Sequence, residues 1–197
     1  MKKQYIIVLA LILITSSYFI YSSVQNSSPH PIYKFGDVVD SLNGVYVYYN
    51  GRVSHTGERN TTKDGYNIGL KYQCVEFVKR YYYEYYRHKM PDTYGNARDF
   101  FDAKVNDGEL NTARNLLQFS NHSKLKPKVG DLIILDGHWG NKYGHVAIVC
   151  SATQSNISII QQNPGVFDKS RVEMELDSAN SKFEVKNSMV LGWLRKK

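Results

Sequence analysis

The stretch from Gly69 to Tyr86, "GLKYQCVEFVKRYYYEYY", decides the fold class and raises the question of what its cysteine does. Its apolar residues recur at intervals of three and four: Cys74, Phe77, Val78, Tyr81 and Tyr85. This spacing predicts a helix that begins within a few residues of Gly69 and packs one face on a core. We expect the charged residues of the stretch to face elsewhere: Glu76, Lys79, Arg80 and Glu84.

Downstream of this helix the pattern changes to that of strands. A shorter helix is predicted at residues 96–105, and the segment up to His122 is expected to be a polar connection with some helical tendency. Short apolar runs then predict strands at residues 131–135, 144–152, 156–163 and 188–195. Helices followed by consecutive short strands indicate an α+β fold whose strands form an antiparallel sheet.

Upstream of the helix the chain falls into three parts. Two lysines precede the apolar run "YIIVLALILI" (residues 5–14), so we expect residues 1–21 to be a signal peptide or a membrane anchor, with anchoring by residues 5–21. Residues 22–32 are predicted to be a linker and residues 33–197 one globular domain. In that domain, residues 44–51 predict a strand that runs into a tight Asn-Gly turn, followed by a long loop to Gly65.

Composition limits the classes of partner. The chain of 197 residues is 42% hydrophobic and 22% charged, which excludes a disordered protein. Its net charge of +7 favours loose association with anionic polymers such as wall glycans or phospholipid headgroups. The basic residues form no clustered tract, so we expect no nucleic-acid partner. We also expect a monomer without cofactor or metal.

Cys74 stands where a nucleophile would be placed. The start of a helix carries a partial positive charge from unpaired amides, which favours the thiolate, and the same amides can bind an oxyanion. The alternative is that Cys74 is a small, inert core residue, which is the commoner fate of a free cysteine.

His145 opens the predicted strand "HVAIV" directly after a glycine, at the edge of the sheet. A histidine there can act as general base for the thiol, although a solvated strand end is the alternative. Side chains alternate along a strand, so Gln161 and Asn163 share one face of the next strand, where either could hold the His145 ring. They could equally only end that strand before Pro164.

Four motifs, "YQCVEFVKR", "KPKVGDLIIL", "YGHVAIV" and "IIQQNPG", resemble in order and spacing the CHAP family of cysteine- and histidine-dependent amidohydrolases/peptidases. "QCVEF" and the closing "LGW" look closest to the amidase domain of glutathionylspermidine synthetase/amidase. The likeness runs from about Tyr33 to the C-terminus, with gaps in the loops. It implies a papain-like CHAP fold with Cys74 as nucleophile and His145 as base, and an oxyanion held by the Cys74 backbone and the Gln73 side chain.

The third catalytic position departs from the family pattern. The family usually has glutamate followed two residues later by asparagine, whereas this chain has Gln161 and Asn163. A glutamine can orient His145 but cannot stabilise its imidazolium by charge. We expect an active enzyme in which one of these two residues orients the histidine.

A disulfide between the two cysteines is incompatible with this arrangement. Cys150 lies five residues after His145 on the same strand, about 16 Å further along. A disulfide requires Cα atoms within about 7 Å, so Cys74 can meet either His145 or Cys150. We therefore expect Cys150 to be a packed thiol.

The function expected is an exported cysteine amidase or endopeptidase that cuts amide bonds in peptidoglycan peptides. A second hypothesis, from the motif likeness, is hydrolysis of glutathionylspermidine or a similar γ-glutamyl conjugate. An inactive wall-binding module is a further alternative, which the Gln161 substitution favours. A zinc hydrolase is disfavoured, because the sequence around its candidate ligands has no H-x-H or H-E-x-x-H motif. Those ligands would be Asp136, His138, His145 and Cys150.

Overall fold

The computed structural model of the chain describes residues 2–26, 33–165 and 169–197. The first element is a helix, α1 (Lys2–Asn26). Its stretch Gln4–Ser23 is 20 residues long and has a mean hydropathy of 2.0, so by length and composition it could cross a membrane. A signal sequence near an N-terminus has the same length and composition. The helix continues through residues 22–26 of the predicted linker, and the rest of that linker, residues 27–32, lies outside the described residues.

The domain that follows is built mainly of strands around one helix. In chain order its elements are β1 (Val38–Leu42), β2 (Val45–Tyr48), β3 (Arg59–Thr61), β4 (Asn67–Leu70), α2 (Cys74–Tyr86), a 3₁₀ helix (Arg98–Phe100), β5 (Leu110–Asn111), β6 (Leu116–Ser120), β7 (Leu132–Leu135), β8 (His145–Ala152), β9 (Asn156–Ile160), β10 (Arg171–Ala179), β11 (Lys182–Val185) and β12 (Val190–Arg195).

Eight of these strands form one antiparallel sheet in the order β11-β10-β9-β8-β7-β12-β6-β5. The sheet curls on itself. Phe183 of β11, at one edge, bridges Ser123 near the other edge, and Asn121 bonds the backbone of Val185 in both directions, at 2.8 and 3.1 Å. The predicted α+β class with an antiparallel sheet is confirmed.

Helix α2 packs on the outer face of the curled sheet. Four of its side chains are fully buried, Phe77, Val78, Tyr81 and Tyr82, and they meet Leu132 and Ile134 of β7 and Val146 and Ile148 of β8. Each such side chain contributes about 1.5–3 kcal/mol to folding by burial. This cluster fixes the start of α2 relative to the start of β8, which is where the candidate site lies.

A second cluster fills the inside of the curl and consists only of sheet residues. Its members include Ile133, Ala147, Val149, Ile159, Leu176, Val185 and Trp193. Ala147 and Val149 belong to this cluster while Val146 and Ile148 belong to the first, as the alternation of side chains along β8 requires.

The four predicted C-terminal strands are found, as β7, β8, β9 and β12, but several other predictions are wrong. Strands β10 and β11 went unpredicted. Strands β5 and β6 occupy the segment expected to be a helix-prone connection. The helix predicted at residues 96–105 is reduced to the single 3₁₀ turn at Arg98–Phe100. Its backbone is bonded instead by distant side chains, since Asn111 donates to the Phe100 carbonyl and Gln118 to that of Asp102.

The tight Asn-Gly hairpin turn lies at Asn43 and Gly44, not at Asn50 and Gly51. Asn43 and Gly44 have φ values of 50° and 83°, the pair of left-handed residues that joins β1 to β2. The predicted loop up to Gly65 also contains strand β3, which pairs with β4.

The expectation that the charged residues of α2 face away from the core is wrong for three of them. Glu76, Lys79 and Arg80 are 1%, 1% and 7% exposed, whereas Tyr85, predicted to be in the core stripe, is 49% exposed. The reason is tertiary pairing. Strands β2 and β4 cover the side of α2 that a helix lying on a sheet would leave to solvent. Polar partners come from Asn60 of β3, which donates to Glu76, and from the Asn67 carbonyl of β4, which accepts from Lys79.

Candidate active site

Cys74 is the first residue of α2, and Gln73 before it is the N-cap in an extended conformation. The chain reaches this point through Gly69, which passes directly against the first turn of the helix. A Cβ atom at Gly69 would lie 3.2 Å from the backbone of Glu76, and its φ of +121° also favours glycine. Strand β4 therefore holds the first turn of α2 in place and presents the half-buried thiol at its start.

The Cys74 thiol lies beside the start of β8. Burial raises the pKa of Cys74, while backbone hydrogen bonds from Val146, Val75 and Cys74 itself act in the opposite direction. Only donors stabilise a thiolate, so these are N–H groups, and the one from Val146 places the sulfur next to the residue that follows His145. The expectation that the helix start lowers this pKa is wrong, because burial outweighs the amides.

His145 is the first residue of β8 and is half-buried. Gly144 before it has a φ of +72°, and a Cβ atom there would lie 2.5 Å from the Leu135 carbonyl oxygen. Only glycine fits, so the turn that brings His145 into the sheet is fixed. Burial lowers the pKa of His145 to about 4, and its hydrogen bond with Gln161 acts the other way. The imidazole is thus neutral at pH 7.

The contact between Gln161 and His145 determines which ring nitrogen is free. Gln161 Oε1 lies 3.0 Å from His145 Nε2. The Gln161 amide is oriented by its other end, because Nε2 donates to the Lys169 carbonyl at 2.9 Å. An amide oxygen only accepts, so His145 Nε2 carries the hydrogen and Nδ1 is the unprotonated nitrogen.

Asn163, the other residue proposed to orient the histidine, contacts Gln73 instead. Its Nδ2 donates to Gln73 Oε1 at 2.8 Å and to the Val53 carbonyl at 3.0 Å. Gln73 Nε2 in turn donates to the His55 carbonyl at 2.6 Å. The Gln73 amide is therefore held at both ends, with one N–H of Nε2 left for another acceptor.

The remaining predicted residues lie apart from this group. Both cysteines are free thiols, and Cys150 Sγ donates to the Ser158 carbonyl at 3.3 Å. Asp136 pairs with Arg98 at 3.4 Å, and His138 Nδ1 accepts from the Gly140 amide at 3.1 Å. In residues 2–26, 33–165 and 169–197, no three His, Cys, Asp or Glu side chains are grouped so that they could hold a metal ion.

One residue beside the site was missed at the sequence level. Gln162 lies between Gln161 and Asn163, is fully buried, and donates to the Gln73 carbonyl at 3.0 Å. The only signal in the sequence is a second glutamine in "IIQQN", because its partners are 89 and 114 residues away along the chain.

Comparison with known proteins gives a match to the CHAP domain over residues 63–163, a range that contains Cys74, His145, Gln161 and Asn163. The chain is 29% identical over 131 residues to trypanothione synthetase of Crithidia fasciculata. That alignment covers 66% of this chain and 20% of the synthetase, so the chain spans about a fifth of that relative.

Two solved structures show partial likeness. The crystal structure of Ly7917 aligns with a TM-score of 0.36 and 17% identity, over 64% of this chain and 54% of that one. The structure of Ly7917 with the hydrolyzing product of MDP aligns with a TM-score of 0.27 and 24% identity, over 38% and 30% of the two chains.

Proposed function

The chain belongs to the CHAP family, and from this premise we propose that it is an exported cysteine amidase or endopeptidase that hydrolyses amide bonds of peptidoglycan peptides. The family match supports an amidohydrolase or peptidase. The observation that carries the proposed mechanism is the hydrogen bond between Gln161 and His145, because it leaves Nδ1 of the ring unprotonated. That nitrogen is the general base of the proposal.

In the proposed first step the Cys74 thiol gives its proton to His145 Nδ1 as the sulfur attacks the amide carbonyl. The resting pair is neutral, since burial raises the pKa of Cys74 and lowers that of His145 to about 4. Proton transfer therefore accompanies attack instead of preceding it. Gln161 keeps the ring in the required tautomer throughout.

The tetrahedral oxyanion would be stabilised by the backbone N–H of Cys74 and the remaining N–H of Gln73 Nε2. His145 then returns the proton to the leaving amine, the carbon–nitrogen bond breaks, and a thioester on Cys74 remains. Water hydrolyses the thioester with His145 again as base, which restores the thiol.

The choice of substrate rests on the N-terminal segment and the charge of the chain. Helix α1 has the length and composition of a signal or an anchor, so we propose residues 1–21 for that role and residues 33–197 as the catalytic domain. Outside the cytoplasm the abundant amide polymer is peptidoglycan. The net charge of +7 suits association with anionic wall polymers.

The test uses the full-length chain in detergent, with Cys74 and as Cys74→Ala, incubated with purified peptidoglycan. We expect new muropeptides by mass spectrometry with the first protein and none with the second. Identical products from both proteins, or intact peptidoglycan with the wild-type chain, would contradict the proposal.

The identity to trypanothione synthetase favours a second candidate function, hydrolysis of the amide in glutathionylspermidine or a related γ-glutamyl conjugate. The same chemistry at Cys74 would apply. Incubation of the two proteins with glutathionylspermidine separates the candidates. Cys74-dependent release of spermidine, with peptidoglycan left intact, would put this function first.

A further inference from the structure

The side chain of Gln162 joins three parts of the molecule that meet behind Cys74. It is fully buried, and its Oε1 accepts from the Tyr48 backbone amide of β2 at 2.7 Å. Its Nε2 donates to the Gln73 carbonyl at 3.0 Å and to Glu76 Oε2 at 2.9 Å. Both hydrogens of the amide and its oxygen are therefore used.

Glu76 anchors this network from inside the first turn of α2. Its Oε1 accepts from Arg80 Nε at 2.7 Å and from Asn60 Nδ2 at 3.0 Å, while Oε2 faces Gln162. The Arg80 guanidinium lies over the Tyr48 ring, 5.0 Å from its centroid. The carboxylate is buried, and both of its oxygens accept hydrogen bonds, so it holds the Gln162 side chain in place. Gln162 can then hold the Gln73 carbonyl with its other N–H.

The consequence for Cys74 follows from the planarity of the peptide bond. The carbonyl of Gln73 and the N–H of Cys74 belong to the same trans peptide group, so the two point in opposite directions in one plane. The carbonyl accepts from Gln162 and also from Phe77 N–H at 3.1 Å, the first helical bond of α2. With both lone pairs engaged, the plane cannot rotate.

We propose that Gln162 is a positioning residue for the oxyanion site: by fixing the Gln73 carbonyl it aims the Cys74 N–H at the place where the substrate oxygen becomes negative. The Cys74 amide already lies close enough to the sulfur to act on the pKa of the thiol. Gln162 touches neither the thiol nor His145 through any of its three hydrogen bonds. This role rests on the proposed function of Cys74 as nucleophile.

Two reactions of Cys74 separate this role from a general structural one. Acylation by p-nitrophenyl acetate passes through a tetrahedral oxyanion: the sulfur–carbon bond forms, the ester carbon–oxygen bond breaks, p-nitrophenolate leaves, and the thiol proton goes to His145. Alkylation by iodoacetamide displaces iodide and forms no oxyanion. The ratio of the two rates, each corrected with Cys74→Ala, reports the oxyanion site without need of the natural substrate.

The variants are Gln162→Glu and Gln162→Leu in the full-length chain. Gln162→Glu keeps the acceptor for Tyr48 but replaces the donor by a carboxylate oxygen beside Glu76. We expect the ratio of acylation to alkylation rates to fall about tenfold to a hundredfold in both variants. Complete loss of one oxyanion donor lowers the rate by about 10²–10³, and a misaligned donor should lower it by less.

Gln118 supplies the matched control. It is 1% exposed and also fully bonded, donating to the Asp102 and Val105 carbonyls and accepting from Asn111, but it lies on β6. Gln118→Glu and Gln118→Leu should leave the ratio within about twofold of the wild type.

Each remaining outcome overturns the proposal. An unchanged ratio in folded Gln162 variants shows that the Cys74 amide is aimed without Gln162. If the alkylation rate falls in parallel with the acylation rate, the Gln162 variants act on the thiol itself. If the ratio falls equally in the Gln118 variants, the effect comes from any disturbance of a buried glutamine. If the wild-type chain is alkylated at Cys74 but not acylated, no oxyanion site exists for Gln162 to position. Failure of the proposed function gives a different result. Peptidoglycan and glutathionylspermidine would then both stay intact, while the Gln162 variants would still change the ratio of acylation to alkylation rates.

Discussion

Asn163 Nδ2 lies 2.8 Å from Gln73 Oε1, so the asparagine two residues after Gln161 holds the N-cap of α2 and not the histidine ring. The two residues that were alternatives for one task therefore have separate contacts. Gln161 bonds the general base of the proposed mechanism, and Asn163 bonds the side chain proposed to bind the oxyanion.

Replacement of Asn163 by aspartate tests this division. Asn163→Asp puts a carboxylate oxygen opposite Gln73 Oε1, which turns the Gln73 amide away. We expect kcat to fall about tenfold or more, with KM and the iodoacetamide rate little changed, because an oxyanion donor acts only in the transition state. Asn121→Asp is the control, since Asn121 is also half-buried and bonds the backbone far from the site. A large rise in KM alone would contradict the prediction.

The wild-type pH profile follows from the neutral resting pair. His145 is a base only when unprotonated, and burial lowers its pKa to about 4. We therefore expect kcat/KM to stay level from neutral pH down to about pH 5 and to fall below about pH 4, instead of near the ordinary value of 6.5. Alkylation of Cys74 should be slow at pH 7 and should increase with pH without levelling off by pH 9, because burial raises the pKa of the thiol. Fast alkylation at pH 6 would indicate a preformed ion pair and contradict the prediction.

The same lowered pKa predicts a stability change with a definite sign. Between about pH 6.5 and 4 the unfolded chain binds a proton on His145 and the folded chain does not. The free energy of unfolding therefore falls as the pH falls through this window. Urea unfolding of wild type and His145→Asn at pH 7 and pH 4.5 measures it. We expect the difference between the two pH values to be smaller in the variant, and an equal difference would contradict the assignment.

Gln161→Glu restores the carboxylate that is usual at this position in the family. A negative charge 3.0 Å from His145 Nε2 favours the imidazolium, so the acid limb of kcat/KM should move up by about 1–3 pH units. We expect kcat at pH 8 to rise, since the charge also stabilises the imidazolium formed during attack. Gln118→Glu should leave the limb in place. An unmoved limb in Gln161→Glu would show that residue 161 does not set the basicity of the ring.

The buried pair of Glu76 and Arg80 predicts a stability loss of known size. Arg80→Met removes the donor 2.7 Å from Glu76 Oε1 and leaves the carboxylate without its counter-charge. Loss of one partner of a buried pair costs about 3–5 kcal/mol, and urea unfolding should show it. The double variant Glu76→Gln with Arg80→Met should recover part of the loss. A double variant less stable than Arg80→Met would refute the explanation.

The sequence predicts those features that depend on neighbouring residues. The apolar face of α2 and strands β7, β8, β9 and β12 follow from local periodicity, because each buries a continuous apolar run. Alternation along antiparallel strands also puts His145 and Gln161 on one face, where the 3.0 Å bond joins them. Asn163 escapes this rule because it lies beyond the end of β9 and its own φ of +51° departs from the extended backbone of a strand.

The burial of charge in α2 could not be predicted in this way. Glu76 and Arg80 resemble solvent-facing helix residues, and nothing near them in the chain indicates otherwise. Asn60 lies 16 residues from Glu76 and Gln162 lies 86 residues away, so their contacts exist only in the folded molecule. The role proposed for Gln162 depends on the same distant contacts and for that reason has no sequence signature.

The place of β12 in the sheet has a consequence for biosynthesis. It lies between β7 and β6, although residues 190–195 are made after the other seven strands of this sheet. Until they are available, β5 and β6 have no strand that joins them to the rest of the sheet, and β7 has an open edge. A nascent chain that lacks residues 190–195 cannot complete the core of this sheet, so we expect the candidate site to form only after β12 has been made. Under the proposed export of an unfolded chain, the proposed hydrolase would therefore stay inactive on the side of the membrane where it is made.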